Sequence, residues 1–175
     1  MADNAEFESL VTRFYAPLYQ FAFSLTRSEA DACDLTQQTF AVWARKGHQL
    51  RDTSKVKTWL FTILHREFLD SKRRSTRFPH LDLEAAEPEL PSISPSSVSQ
   101  LDTAQVLDAL SRVDEVFRAP VALFYLQDLS YSEIAETLEI PMGTVKSRLA
   151  RGLNHLQQLL ARDIAAGQNP SPTSL

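Results

Sequence analysis

The segment Leu129–Leu160, LSYSEIAETLEIPMGTVKSRLARGLNHLQQLL, leaves this chain few folds to choose from. Its apolar residues fall into two helical stripes of unequal length with a proline and a glycine between them. Ser130 and Glu133 stand three apart, so each can bond the other's backbone N–H at a helix start, the capping box. Ile134, Ala135 and Leu138 then give a short apolar face. Pro141 and Gly143 mark a joint that a continuous helix does not cross. The second helix is expected to begin near Thr144, whose hydroxyl suits an N-cap. Val145, Leu149, Leu153, Leu156 and Leu160 recur at steps of three and four and share one face. The opposite face holds Thr144, Ser147, Arg148, Arg151 and Asn154, with Lys146 and Ala150 on its flank. No acid interrupts it from Thr144 to Leu160.

That face has what a recognition helix needs. Lysine and arginine suit phosphates, and arginine, serine and asparagine suit base edges in a major groove. On residues alone, the same pattern also fits a two-helix corner of an ordinary helical domain with a solvated basic face.

The rest of the chain reads as helix as well. Four glycines in 175 residues, sparse Val and Ile and no alternating run point to an all-α fold of one or two small domains. Phe7, Leu10, Val11, Phe14, Leu18, Phe21, Ala22 and Leu25 form a stripe from about Phe7 to Arg27, with a kink or break expected at Pro17. After a polar joint at Ser28–Ala32, a second helix is expected from about Glu29 to Arg45. Leu35, Thr39, Val42 and Trp43 turn inward there, while Asp34, Gln37, Gln38 and Ala41 share another face, which by itself reads as solvated. Gly47–Val56 is a loop by composition. A third helix follows from about Lys57 to Arg74, with Trp59, Leu60, Ile63, Leu64 and Leu69 among its buried positions. Leu101, Ala104, Val106, Leu107 and Leu110 open a second domain. FRAPVALFYL, Phe117–Leu126, is its apolar second helix, with Pro120 expected in the first turn.

Net charge is −4, so bulk cationic attraction to nucleic acid is excluded, but the charge is unevenly spread. Arg45–Arg77 holds ten Lys/Arg against three Asp/Glu, whereas Phe78–Gln100 holds four acids and no Lys or Arg. The first block gives a local positive field. The second, with four prolines and a serine cluster, reads as an extended linker that lets two domains engage two sites on one partner. The expected division is 1–77, a linker at 78–100, a helix-turn-helix domain at 101–163 and a flexible tail at 164–175.

Catalytic signatures are missing. The chain has no Walker loop, dinucleotide fingerprint or nucleophile elbow, and its four histidines and single Cys33 have no metal-site spacing. An enzyme, a metal and a cofactor are therefore not expected. MADNAEFESL lacks the basic and apolar regions of a signal peptide, and a reducing cytoplasmic setting fits the lone cysteine.

The run FRAPVALFYLQDLSYSEIAETLEIPMGTVKSRLARGLNHL resembles the C-terminal DNA-binding domain of bacterial extracytoplasmic-function (group 4) sigma factors, above all in SYSEIAE and IPMGTVKSRLARG. DACDLTQQTFAVWAR and KTWLFTILHREFLDSKRR resemble their N-terminal domain. Two blocks in the right order, joined by an acidic linker, cover nearly the whole chain. The resemblance implies a subunit that directs core RNA polymerase to promoters. Lys146, Ser147, Arg148 and Arg151, with Thr144 near the backbone, would then meet the −35 element. The loop from Leu50 to Lys57 and the helix after it would meet the −10 element, through Arg51, Asp52, Ser54, Lys55, Lys57, Arg66, Lys72, Arg73 and Arg74. Asp34, Leu35, Gln37, Gln38 and Ala41 would dock on the clamp coiled coil of the polymerase, and its flap would be a further contact. An anti-sigma factor, which could hold the protein at a membrane without insertion of the chain itself, is a further implied partner.

The chain departs from the family pattern in places. Cys33 and Gln38 stand where glutamate is common, and Val113-Asp114 replaces a frequent Leu-Pro, which is expected to shift a helix start. The alternative to a polymerase subunit is an autonomous helix-turn-helix regulator that binds DNA as a dimer; a protein-only adaptor is a third reading. The acidic linker and the lack of an evident dimerisation helix weigh against the former, and the acid-free face of the last helix against the latter.

Overall fold

A computed structural model describes residues 4–75 and 103–167. The expected linker falls wholly outside them, as does the tail beyond residue 167. Seven α-helices and two short 3-10 turns make up the architecture, with no strand among the described residues. Helices α1 (Asn4–Thr26), α2 (Glu29–Lys46) and α3 (Val56–Ser75) form the first group. Helices α4 (Thr103–Ser111), α5 (Glu115–Tyr125), α6 (Tyr131–Leu138) and α7 (Met142–Gly167) form the second.

The first group is built on the expected stripes. Leu18, Phe21 and Ala22 of α1 meet Ala32 of α2 and Leu60, Phe61 and Leu64 of α3 in a fully buried core. Phe21 and Phe61 pack edge to face at 5.5 Å, and Trp43 and Trp59 at 5.0 Å. Gly47 allows the second pair: a Cβ there would lie 2.7 Å from the Trp43 ring.

Of the kink or break expected at Pro17, no break occurs: α1 runs on through it. An interior proline costs a helix about 3 kcal/mol, but Phe14 before it and Leu18 and Phe21 after it are buried in the same core, and that packing carries the helix through. Leu69 is 37% exposed rather than buried. The buried steps of α3 run Leu60, Phe61, Leu64, Phe68, and Leu69 lies one position off that stripe. Helix α2 starts at Glu29 as expected, so the polar joint does not extend to Ala32: Arg27 turns with a φ of 56°, and the Ser28 hydroxyl accepts from the Asp31 N–H at 3.3 Å.

In the second group Val106, Leu110, Val121, Leu123, Ile134, Val145, Leu149 and Leu156 are buried together. With Asp114 in the N-cap position α5 begins at Glu115, which puts Pro120 beyond the first turn rather than in it. Arg118 is only 7% exposed, and its guanidinium donates to three carbonyls: Leu110 (3.1 Å), Ser111 (3.2 Å) and Val113 (2.8 Å). These are end groups of α4 and the turn after it; the Leu110 carbonyl also accepts from the Val113 N–H at 3.1 Å, whereas those of Ser111 and Val113 rely on the arginine. The last helix runs on to Gly167, into the stretch assigned by composition to a tail.

The two groups touch. Helix α1 packs on α4 and α5, α3 packs on α6, and the buried residues of both form one contiguous cluster. Gln127, 5% exposed, donates from its side-chain amide to the Pro17 carbonyl at 3.1 Å across this boundary.

Candidate nucleic-acid interface

The capping box forms as the spacing requires. The Ser130 hydroxyl accepts from the Glu133 N–H at 3.2 Å, and the Glu133 carboxylate accepts from the Ser130 N–H at 2.8 Å. Those bonds hold the Glu133 carboxyl below its ordinary pKa. The joint differs from expectation. Its left-handed residue is Glu139, with φ 56° and ψ 43°, whereas Gly143 has ordinary helical backbone. Helix α7 therefore starts at Met142, and Thr144 sits inside its first turn instead of capping it; the Val145 N–H donates to the Pro141 carbonyl.

Along α7 the two faces separate as the stripe demands. Val145, Leu149, Leu153, Leu156 and Leu160 are buried. Lys146, Arg151 and Asn154 are exposed, and Thr144, Ser147 and Arg148 are half-buried. Gly152 lets α7 lie directly on α5, since a Cβ there would come within 2.4 Å of Val121 and 2.9 Å of Phe117. This close crossing fixes the height at which the cationic face stands above the domain.

In the first group, the loop before α3 is ordered by its own acid. Asp52 accepts from both the Ser54 N–H (3.0 Å) and the Ser54 hydroxyl (2.6 Å), bonds that depress its pKa and close the 3-10 turn Thr53–Lys55. Asp52 is thus an anchor of the loop, while Arg51, Ser54 and Lys55 are exposed on it. Along α3, Arg66, Arg73 and Arg74 are exposed and Lys57 and Lys72 half-buried; Arg73 faces Asp70 at 3.6 Å. His65 is largely buried on the same helix. Burial lowers its pKa to about 4, with Glu139 opposing and Arg148 reinforcing that shift.

Several of these cations meet the second group. Lys55 pairs with Glu136 at 3.4 Å, Arg66 with Glu139, and Lys72 with Glu115. Lys57 Nζ donates to the Gln127 carbonyl at 2.5 Å. Sequence patterning does not reveal Glu115, Gln127, Glu136 and Glu139 as partners, because nothing in periodicity relates positions about 40 to 80 apart along the chain.

The third surface lies on α2. Asp34, Gln37, Gln38 and Ala41 are exposed together, as the spacing predicts. Leu35 is 5% exposed and supports that face from the core. Cys33, half-buried, accepts from the Gln37 side-chain amide at 3.4 Å and lies 3.9 Å from the Tyr15 hydroxyl, whose pKa this contact raises.

Family models match both groups: Sigma-70 region 2 over residues 10–78 and Sigma-70, region 4 over residues 103–156. The chain is an extracytoplasmic-function sigma factor of RNA polymerase, and so a subunit that directs promoter-specific initiation. It is 32% identical over 162 residues to the ECF RNA polymerase sigma factor SigL of Mycobacterium tuberculosis, covering 91% of each. It is 33% identical over 160 residues to the ECF sigma factor SigE of Mycolicibacterium smegmatis, covering 89% of this chain but 62% of that one. Among solved structures it resembles the sigma factor RpoE of Bartonella quintana in complex with the anti-sigma factor NepR. The TM-score is 0.69 and the identity 30%, over 90% of this chain and 98% of that one. In this sigma factor no helix among the described residues is long and apolar enough to cross a membrane, and none of their His, Cys, Asp and Glu side chains cluster as a metal site.

Proposed function

We propose that this sigma factor reads a promoter at two places and divides the work by domain. Residues 101–163 take the −35 element in the duplex major groove through Lys146, Ser147, Arg148 and Arg151, with Thr144 beside the backbone. Residues 1–77 take the −10 element through Arg51, Ser54, Lys55, Lys57, Arg66, Lys72, Arg73 and Arg74, with Asp52 shaping the loop. The segment 78–100 links them. The observation that carries the reading is the acid-free face of α7 standing over a buried apolar stripe. Extruding a base costs a few kcal/mol, which a basic loop and helix can offset. The work is recognition, not catalysis.

Core polymerase docks on Asp34, Gln37, Gln38 and Ala41, a polar patch with buried Leu35 beneath it. The related RpoE is bound by an anti-sigma factor, and a partner of that kind holds this protein in the cytoplasm until it is needed.

Transcription in vitro with the matching core enzyme tests the whole reading. The protein alone is expected to bind promoter DNA weakly, and added core enzyme to yield specific transcripts. Tight specific binding without polymerase would instead favour an autonomous regulator. Arg151→Ala is expected to cost about 1–3 kcal/mol in promoter binding, with selectivity relaxed at one base pair of the −35 element. An equal loss on every sequence would make Arg151 a phosphate contact. Asp34→Lys is expected to weaken core-polymerase binding in a pull-down titration while the melting curve stays unchanged; undiminished affinity would remove the polymerase from that surface.

A further inference from the structure

Three carboxylates on the second domain point the same way. Glu115 at the start of α5, Glu136 within α6 and Glu139 at its end reach Lys72, Lys55 and Arg66, each a cation assigned above to the −10 element. Between them the Gln127 carbonyl takes a fourth such cation, Lys57. From the second domain Arg148, assigned to the −35 element, is half-buried and close enough to His65 on α3 to act on its charge.

We infer that the acidic edge Glu115–Glu136–Glu139 is an internal stand-in for promoter phosphates. It latches the second domain onto the basic face of the first, so that the free protein covers its own −10 surface.

The chemistry of the latch supports the inference. Carboxylates compete with phosphates for the same ammonium and guanidinium groups, and Arg66 bonds Glu139 as it would bond a backbone oxygen. All three acids are roughly half exposed, so each pair is weak and screened by salt. A latch of weak pairs opens when polymerase or DNA offers more. The backbone at Glu139 adds a second observation. A non-glycine residue at φ 56° is disfavoured, and glycine is the usual choice at such a helix end. Glycine there would ease the turn and lose the contact to Arg66. The carboxylate stands at a position where backbone geometry argues against it, as Arg27 and Asp128 also do.

This inference rests on the assignment of α3 and its preceding loop to DNA, so the test separates the two. The full-length triple variant E115Q/E136Q/E139Q removes the charges and keeps the shapes. Small-angle scattering reads the separation of the domains, and fluorescence anisotropy reads binding of a labelled single-stranded oligonucleotide by the free protein. The variant is expected to have a larger radius of gyration than the wild type at low salt and an affinity about five- to tenfold higher, the scale of a few exposed ion pairs. The wild type is expected to expand as salt rises, without any substitution. An unchanged radius in the variant overturns the latch. A larger radius with unchanged affinity overturns the masking, because the released cations then do not meet DNA. Run-off transcription by polymerase loaded with K55Q/K57Q/R66Q tests the underlying assignment. Undiminished initiation there removes the −10 reading itself. Impaired initiation, combined with no gain in the glutamine variant, overturns the mask alone.

Discussion

Arg118→Ala is expected to unfold the second domain at denaturant concentrations where the first still stands, with a loss of about 3 kcal/mol or more. The side chain is nearly all buried, and two carbonyls, those of Ser111 and Val113, depend on its fork, while the Leu110 carbonyl keeps the Val113 N–H. Each stranded acceptor costs about 1–3 kcal/mol. Water entering from the cleft beside Arg118, lined also by Arg27, Phe68 and Glu115, returns part of that, so the sum is smaller than two full penalties. Arg118 itself is held under some tension, since burial and nearby Arg27 disfavour its charge while Asp114 offsets them. The wild type already bears this cost, and truncation leaves only the orphaned carbonyls. Arg118→Met keeps the aliphatic stem and discards the fork. If methionine restores most of the stability, packing rather than hydrogen bonding holds the α4–α5 turn and the account above is wrong. Two probes make the measurement clean. Both tryptophans, Trp43 and Trp59, belong to the first domain. Far-ultraviolet dichroism therefore reports all the helices, while tryptophan emission reports the first group alone. The variant is expected to pull the two curves apart.

Arg118 also marks the limit of reading this chain as a string. The capping box at Ser130 and Glu133 was legible because both partners lie within one turn of each other. So was the buried stripe of α7, because a helix repeats and its period survives in the sequence. The exposed set Asp34, Gln37, Gln38 and Ala41 followed for the same reason. What stayed hidden depends on groups that meet through space or on backbone angles. An arginine within the apolar run FRAPVALFYL was a visible oddity, but its acceptors lie five to eight residues back, across a turn. Composition pointed to Gly143 as the bend, whereas the positive φ fell on Glu139. Proline propensity argued for a break at Pro17, and burial on both sides of it prevailed. The pairing of Lys55, Lys57, Arg66 and Lys72 with the second domain had no local signal. The basic block was visible as a field, but the acids that answer it are scattered singly over α5 and α6. The basic residues were therefore readable element by element, while their pairing with the other domain was not.

Gly152→Val should disrupt promoter reading more than its effect on folding alone suggests. Glycine within a helix is about 1 kcal/mol worse than alanine, so a glycine in the middle of α7 needs a reason. The reason is distance: a Cβ at this position would meet Val121 at 2.4 Å and Phe117 at 2.9 Å, with the Phe117 carbonyl at 3.3 Å. Two of these contacts are with atoms close to the α5 backbone, which cannot swing aside as the end of a long side chain can. Helix α7 must lift off α5 or tilt. Overpacking of this kind costs about 1–3 kcal/mol, and a β-branched residue belongs at the upper end. Gly152→Ala is expected to fall lower, since its gain in helix propensity offsets part of the clash. Gly143→Ala is the matched control. Nothing lies within 4 Å of its added Cβ, and its backbone is already helical, so stability should hold or rise by up to about 1 kcal/mol. The lift also moves Ser147, Arg148 and Arg151 together relative to the rest of the domain. Duplex binding to a −35 sequence by the polymerase holoenzyme should therefore fall further for Gly152→Val than for an equally destabilised variant in α4, such as Val106→Ala. Equal losses at matched stability would mean that the α5–α7 crossing sets only the fold and not the position of the reading face.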